Sequence, residues 1–265
     1  RVETGLIAKF EFKTGTGTVA YDTSGVEPAV NLNFSGDVQW VGGWGVRVAN
    51  RGKLQGTTTG SRKLLQRIRT TGEYSVEAWV APANVTQEDA HVVGYSGGAT
   101  ARNFTLVQNL YDYEFMNRSS TTGANGTPMV RTPSAQEIAQ ATLQHVVLTY
   151  GPIDGRRIYV NGRLVSAADA QRGGNLNDWD DTFALVLGNE VSGDRPWSGI
   201  IKMVAIYDRQ LALPAITTNY EAGVGERYYL LFNVEQIVNV PKSYVMFEVS
   251  QLDSYGYLFD KPAFI

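Results

Sequence analysis

The 265-residue chain carries 23 lysine and arginine residues against 26 aspartate and glutamate residues, so its formal net charge is −3 at pH 7. That charge, with no basic run interleaved with aromatics, gives no electrostatic reason to expect a nucleic acid or an anionic membrane as partner. The chain has no cysteine, which excludes disulfides and thiolate metal sites, and no apolar run approaches the ~20 residues that span a bilayer.

Short strand patterns dominate the chain. Residues 5–12, GLIAKFEF, alternate apolar and polar side chains, which predicts a half-buried strand. Residues 74–82, YSVEAWVAP, predict a second strand, which Pro82 ends because proline cannot donate to the ladder. Further strands are predicted at 91–95, 103–108, 111–116, 183–187 and 200–207.

Tight turns divide residues 143–167 into three β-rich runs. Asp154-Gly155 and Asn161-Gly162 separate the runs, and both dipeptides favour hairpin turns with positive φ. This pattern predicts an antiparallel meander. Only two short helices are predicted, one over 134–142 from a capping-box spacing and one over 212–223 from an early proline and a final glycine.

Many short strands and almost no helix predict an all-β fold of two packed antiparallel sheets over residues 1–224. Residues 225–265 form a strand-rich extension, with strands predicted at 228–234 and 244–250. About 40 residues are few for an independent core. We therefore expect this extension to pack on the sandwich, to pair with another chain or to begin a second domain.

Four segments in this order resemble a known family: GLIAKFEFKTGTGTVAYDTSG, YSVEAWVAP, HVVLTYGPIDGRRIYVNGRLV and LVLGNEVSGDRPWSGIIKMVAIYDRQLALPAI. They are similar to the laminin-G-like, concanavalin A-like jelly-roll domains common in bacterial surface and secreted proteins, and the resemblance covers residues 5–223. It implies two curved antiparallel sheets, an extracellular or cell-surface location, and a ligand-binding or adhesive role. Within it, residues 193–196 are interpreted as a turn and Trp197 as a packing anchor.

Catalytic residues are sparse. Glycosidases on this fold use two carboxylates on one strand face, and the nearest approach here, Glu73 and Glu77, lacks a middle acid. His145, one of two histidines, begins a predicted strand and is interpreted as a core or edge residue rather than a general base. We therefore expect no enzymatic activity.

Calcium is the one candidate cofactor. The resemblance implies an ion near an Asp-x-Ser-Gly turn, here Asp22 and Ser24, although Lys202 stands where relatives often carry an acid. The alternative for Asp22 is a turn in which its side chain bonds its own backbone. A second acidic loop offers Asp178 and Asp180, and its alternative is a solvated loop anchored by Trp179.

Aromatic residues beside amides and acids are candidates for carbohydrate binding. Tyr111 and Tyr113, with Asn109 and Asp112 close by, are expected to be exposed because turn residues flank them. Trp44 is a further candidate for stacking, with burial in the core as its alternative.

Two functions remain open. The first is a non-catalytic extracellular module that binds a polysaccharide, another glycan or a surface protein, with calcium as an aid. The second is a structural protein of a surface layer or filament, which forms homo-oligomers when residues 226–265 add strands to a neighbouring subunit.

Overall fold

The computed structural model describes residues 1–42 and 44–224, and the backbone of two later strands. The remaining part of the C-terminal extension lies outside the described residues. In chain order the strands are β1 (Leu6–Phe10), β2 (Val19–Ala20), β3 (Leu32–Trp40), β4 (Val46–Gln55), β5 (Tyr74–Pro82), β6 (Ala90–Gly98), β7 (Ala101–Asn109), β8 (Asp112–Asn117), β9 (Val130–Arg131), β10 (Gln144–Gly151), β11 (Gly155–Val160), β12 (Arg163–Leu164), β13 (Ala184–Leu187), β14 (Gly199–Tyr207), β15 (Tyr228–Asn233) and β16 (Tyr244–Val249).

Two α-helices accompany these strands. Helix α2 (Leu213–Ala222) confirms the prediction at 212–223. The prediction of a helix over 134–142 is wrong. Only one 3-10 turn forms, over Ser134–Gln136, and Glu137 then takes a left-handed φ of 47°. Helix α1 (Thr58–Thr71) was not predicted, although the Thr57 side chain caps its start and Gly72 ends it at a φ of 71°.

Strands β1 to β14 are hydrogen-bonded into one continuous antiparallel sheet, which curls into two layers around one core. One layer runs β12-β11-β10-β5-β14, with β1 also paired to β14, and contains the predicted meander. The other runs β13-β6-β7-β8-β9. This arrangement confirms the all-β, two-sheet jelly-roll sandwich. Strands β15 and β16 pair with each other as a separate two-stranded sheet.

Strand β4 joins the two layers because it belongs to both. Its first half pairs with β14 and its last two residues pair with β13. Between these halves Asn50 and Arg51 take left-handed φ angles of 45° and 67°, which bend the strand. Its partner β3 shifts register at Gly36, which has a φ of 70°.

The bend leaves no room for side chains at two glycines. A Cβ on Gly36 would lie 3.1 Å from the Cα of Gly52, and a Cβ on Gly52 would overlap the Asp37 carbonyl oxygen. The two backbones therefore approach each other as closely as glycine permits.

Both faces of the β5, β10 and β14 layer are covered. One face points into the main core, in which Tyr74 and Val76 of β5 are buried. The other face carries Trp79, which packs in a second apolar cluster with Leu211 and Ile216 beneath α2. None of the helices in the described ranges is long and apolar enough to cross a membrane.

The close approach at the bend predicts a large effect for a small substitution. G52A should lower the free energy of unfolding by about 1–3 kcal/mol, since the added methyl group meets backbone that cannot move aside. Urea denaturation measures this change. G42A is the matched control, because a Cβ on Gly42 meets nothing within 4 Å, and an equal loss in both variants would contradict the account of the bend.

Candidate ligand-binding site

The outer face of β6 to β9 carries a row of side chains that crosses four strands. His91 of β6 lies opposite Val107 of β7. Val107 lies opposite Glu114 of β8, and Glu114 lies opposite Arg131 of β9. Successive side chains of a strand point to opposite faces. Leu106, which precedes Val107, and Tyr113 and Phe115, which flank Glu114, belong to the main core. These four residues, the cross-strand row, therefore face away from the main core. His91, Val107 and Glu114 are themselves almost fully buried, and only Arg131 is exposed.

His91 is held at one end of the cross-strand row by three charged groups. Its Nδ1 lies 3.1 Å from Oε2 of Glu190, and its Nε2 lies 3.4 Å from Nη1 of Arg102 and 3.5 Å from Oδ1 of Asp89. Nδ1 therefore faces one carboxylate, whereas Nε2 faces a second carboxylate and a guanidinium. The ring is therefore fixed in one orientation.

Glu190 is the buried carboxylate that organises this end of the cross-strand row. Ser96 donates its hydroxyl proton to Oε1, and the Val191 N–H donates to the same oxygen at 2.7 Å. Burial alone would raise the pKa of Glu190, but the bonds from His91, Ser96 and Val191 hold it below its usual value. The carboxylate is therefore ionised at neutral pH and fully supplied with donors.

The rim of this end is open to solvent. Arg195 Nε lies 2.7 Å from Oδ2 of Asp89, and the two side chains are 34% and 51% exposed. The hydrogen bond from His91 lowers the pKa of Asp89. A ligand can thus reach a cation and a carboxylate that are already positioned by their neighbours.

The opposite end of the cross-strand row has a similar composition. Glu114 accepts from Nδ2 of Asn109 at 3.2 Å and from Nη2 of Arg131 at 3.3 Å. Arg131 is half exposed, and Tyr111 is 41% exposed at the tip of the β7–β8 turn. This end therefore combines an aromatic ring with amide, carboxylate and guanidinium groups.

Side-chain amides hold that turn in place. Trp197, fully buried, donates its indole N–H to Oε1 of Gln108 at 2.7 Å. Gln108 donates to the Leu110 carbonyl oxygen at 3.2 Å, and the Leu110 N–H bonds the Gln87 carbonyl oxygen at 2.6 Å. The interpretation of Trp197 as a packing anchor is confirmed.

The structure brings together three of the five predicted ligand-binding residues and separates two. Asn109, Tyr111 and Asp112 meet at the β7–β8 turn, where Asp112 is 8% exposed and accepts from Ser134 at 2.5 Å. The expectation that Tyr113 is exposed is wrong. It is fully buried, because it shares the inward face of β8 with Phe115, and its hydroxyl donates to Gln144 at 2.9 Å.

Trp44 lies in the β3–β4 connection and is not part of that turn. It is partly buried, its φ is 65°, and the ammonium of Lys13 lies 4.8 Å from its ring centroid. Its role in binding stays a prediction separate from the cross-strand row.

An ammonium group takes the space beside Asp22. Lys63 of α1 donates to Oδ2 of Asp22 at 2.7 Å and to the Val26 carbonyl oxygen at 2.6 Å, and both charged side chains are almost fully buried. Asp22 also accepts from the N–H groups of Ser24 at 3.0 Å and Val30 at 3.1 Å. A calcium ion at Asp22 and Ser24 would have to displace Lys63.

The second acidic loop spreads its carboxylates. Oδ1 of Asp180 accepts from the hydroxyl of Thr182 at 2.6 Å, whereas Asp178 is exposed. Trp179 anchors the loop, as the alternative interpretation expected, and its indole N–H bonds the Arg118 carbonyl oxygen at 2.7 Å. Within residues 1–42 and 44–224, no group of three or more histidines and acids is arranged to hold a metal. Calcium stays an untested prediction.

The second histidine belongs to a separate, closed cluster. His145 Nε2 lies 3.0 Å from Oε1 of Glu77, which also receives Nη1 of Arg1 at 3.0 Å. The other oxygen of Glu77 accepts from Tyr207 at 3.1 Å and Asn219 at 2.8 Å. Burial alone would raise the pKa of Glu77, but these bonds, that from His145 foremost, lower it. The cluster ties α2 and the N-terminal residue to the sheet, and the core interpretation of His145 is confirmed.

Sequence reasoning missed the acid and histidine of the cross-strand site. His91 and Glu190 are 99 residues apart and meet only because β13 pairs with β6. No local pattern carries that information. The signal that existed was the alternation along β7, in which Phe104 and Leu106 face the core and Thr105 and Val107 therefore lie on the other side of the strand.

A family model matches residues 34–217 of the chain, and its description is the concanavalin A-like lectin/glucanase superfamily, within the laminin G group. No curated protein matches the chain.

Three solved structures with a similar fold are binding domains of botulinum neurotoxins. The receptor binding domain of the C/D mosaic serotype is 16% identical, with 94% of this chain and 63% of that chain covered and a TM-score of 0.59. The binding domain of neurotoxin DC in complex with rat synaptotagmin II is 14% identical, with 89% and 59% covered and a TM-score of 0.60. The same domain in complex with SialylT is 13% identical, with 89% and 59% covered and a TM-score of 0.59. The chain spans about three fifths of the length of these structures, and the likeness is one of fold.

The buried Lys63–Asp22 pair predicts a stability effect that depends on both partners. K63M should lower the free energy of unfolding by about 3–5 kcal/mol at pH 7, because it leaves a buried carboxylate without its cation. In D22N/K63M no charge is left uncompensated, so the double variant should recover much of that loss. Urea denaturation of the four forms measures the coupling, and additive effects would contradict a direct pair.

The same pair predicts a dependence on pH. Burial alone would raise the pKa of Asp22, but the bonds from Lys63, Ser24 and Val30 hold it below its ordinary value of 3.8. A carboxyl with a lowered folded-state pKa stabilises the protein above its unfolded value and loses that contribution as the pH falls through the folded value. In K63M the lowering bond from Lys63 is gone, so protonation of Asp22 relieves that variant at a higher pH. The difference in the free energy of unfolding between the natural chain and K63M should therefore shrink as the pH falls towards 3.8 and continue to shrink below it, as measured by urea denaturation.

Proposed function

Because the chain belongs to the concanavalin A-like lectin/glucanase superfamily, we propose that it is a non-catalytic module that binds glycans on the outer face of β6 to β9. Polysaccharides and surface glycans lie outside cells, so the proposal implies an extracellular or cell-surface setting.

The observation that carries this proposal is the cross-strand row with its open ends. Asp89 and Arg195 are accessible at one end, and Arg131 and Tyr111 are accessible at the other. Ligand sites hold a few fixed polar groups around apolar surface. Here the carboxylates and guanidinium groups suit sugar hydroxyls, and the tyrosine ring suits the apolar face of a sugar.

The geometry also supports binding rather than glycoside hydrolysis. Inverting and retaining glycosidases need open space between two carboxyl groups for water or substrate. At this site the imidazole of His91 lies between Glu190 and Asp89. A ring in that position leaves no room for a scissile bond.

The neurotoxin domains support the class of function only. One is in complex with rat synaptotagmin II and another with SialylT, and a third is described as a receptor binding domain, so this fold occurs in binding domains. Calcium remains a candidate aid through the exposed Asp178 and its neighbour Asp180.

Glycan binding is tested by screening the full chain against neutral and acidic polysaccharides, with calcium and with chelator, and then by calorimetry on the best ligand. We expect Y111A and R131A each to weaken binding about tenfold, which corresponds to ~1.4 kcal/mol. I153A is the matched control, because Ile153 is 87% exposed and lies in the β10–β11 turn. No binding to any polysaccharide in either condition, or equal losses in all three variants, would contradict the proposal.

A second function is favoured by the separate hairpin of β15 and β16. We propose as the alternative that this hairpin adds to the sheet of a neighbouring copy, as in a surface layer or filament. Its two strands pair with each other over six residue pairs, and a lone two-stranded sheet is marginally stable in water. Pairing with another chain would supply the missing strands.

Mass measurement of the full chain over a hundredfold concentration range tests this alternative. Assembly predicts a mass that rises with concentration and a rise that M246P abolishes, since proline cannot donate to a ladder. A mass equal to one chain at every concentration would contradict it.

A further inference from the structure

The solvent face of helix α1 presents three arginines. Arg62, Gln66 and Arg69 follow one another at spacings of four and three residues, so they lie on one side of the helix. All three are exposed, and so is Arg67 on the flank. The opposite side is buried through Leu64, Leu65, Ile68 and others. The helix contains no acidic residue, so this face, the α1 arginine face, is uniformly basic.

Most of this charge has no partner among the residues that the structure describes. Arg62 lies 3.4 Å from a carboxylate oxygen of Asp181, and both side chains are about half exposed. Across residues 1–42 and 44–224, Arg67 and Arg69 form no ion pair and no side-chain hydrogen bond. An exposed pair such as Arg62 and Asp181 contributes little and exchanges readily. The α1 arginine face therefore has free guanidinium groups.

The face is also held in place without any ligand. Thr57 accepts from the Gly60 N–H at 3.0 Å at the start of the helix, and the Gly72 N–H bonds the Ile68 carbonyl oxygen at 2.8 Å at its end. Arg62 and Arg69 are seven residues apart, which is about 10 Å along a helix. The helix thus fixes the backbone positions of the two arginines.

We propose that the α1 arginine face binds an anionic polysaccharide through carboxylate or sulfate groups. Guanidinium groups bind planar or tetrahedral anions with paired, charge-assisted hydrogen bonds. The hydroxyl and amide side chains of Thr58, Thr59, Gln66 and Thr70 surround the arginines and can bond the sugar hydroxyls between successive anionic groups.

The surroundings favour a polysaccharide over the other polyanions. A membrane-binding helix inserts apolar side chains beside its basic ones, whereas the apolar residues of α1 are buried in the core. Binding of single-stranded nucleic acid relies on aromatic stacking, and α1 contains no aromatic residue. The face offers charge and hydrogen bonds only.

This site is independent of the cross-strand row. It lies on a different element and uses different residues, so neutral glycan binding at the row can fail while the α1 arginine face still binds acidic polymers. Because guanidinium groups stay charged at all working pH values, binding should persist from pH 5 to pH 9 for a sulfated polymer. Salt should weaken it, since the charges are exposed.

The test is retention of the full chain on immobilised dextran sulfate and on immobilised neutral dextran, eluted with a salt gradient. We expect retention on dextran sulfate only, and R62A/R67A/R69A should lower the affinity for soluble dextran sulfate at least tenfold in calorimetry. The matched control is R157A/R163A/R172A, which also removes three positive charges, but from the region around β11 and β12. This variant should bind dextran sulfate as the natural chain does. Circular dichroism and urea denaturation check that both variants fold.

Three outcomes would overturn the proposal. Equal losses in the two triple variants would mean a non-specific charge effect. Absence of retention on dextran sulfate at low salt would mean that the face binds no such polymer. Preferential cosedimentation with anionic phospholipid vesicles, lost in R62A/R67A/R69A, would assign the face to a membrane instead.

Discussion

The structure depends on the bend of strand β4, through which one strand belongs to both layers. The bend exists because Gly36 and Gly52 have no side chain and so let the backbones of β3 and β4 come closer than any Cβ atom would allow. It also exists because Asn50 and Arg51 adopt left-handed φ angles. Strands β13 and β14 pair with the two halves of β4, so the connection between them crosses the seam between the layers. That connection delivers Glu190 to His91 and Trp197 to Gln108. The candidate site is therefore a consequence of how the sandwich is joined.

Both histidines of the chain are buried beside a buried glutamate, but the two pairs differ in what surrounds them. Burying a charge is costly unless it is paired and bonded, and both glutamates meet that condition. The Glu77 pair is closed by Arg1, Tyr207 and Asn219, so it stabilises the attachment of α2. The Glu190 pair instead leads outward through Asp89 and Arg195 to solvent. The same chemistry serves structure in one case and a candidate site in the other.

Local patterns in the sequence predicted the elements that local physics decides. The Asp-Gly and Asn-Gly turns identified the strands on either side of them, and the alternation in residues 74–82 identified a further strand. The order of four segments identified the fold. Tyr113 was placed wrongly although its alternation with Glu114 and Phe115 indicates an inward side chain. The two-residue period of the strand, and not the flanking turn residues, decides where the Tyr113 side chain lies.

Contacts between distant segments could not be predicted in this way. Lys63 comes from a helix that starts with threonines and glycine, which are poor helix formers, and it reaches Asp22 across 41 residues. The family pattern at Asp22 indicated a metal, whereas the chain supplies its own cation there. The partners of Glu190 and the basic face of α1 likewise follow only from the three-dimensional arrangement.

The central claim is that a glycan binds at the open ends of the cross-strand row on the outer face of β6 to β9. Its most direct test is chemical-shift mapping by NMR on labelled full-length protein, titrated with the neutral oligosaccharide that binds best. The account predicts shifts concentrated at Asp89, Tyr111, Arg131 and Arg195, with α1 and the β10–β11 turn unaffected. Saturable shifts confined to any other surface, or none at millimolar ligand, would contradict it.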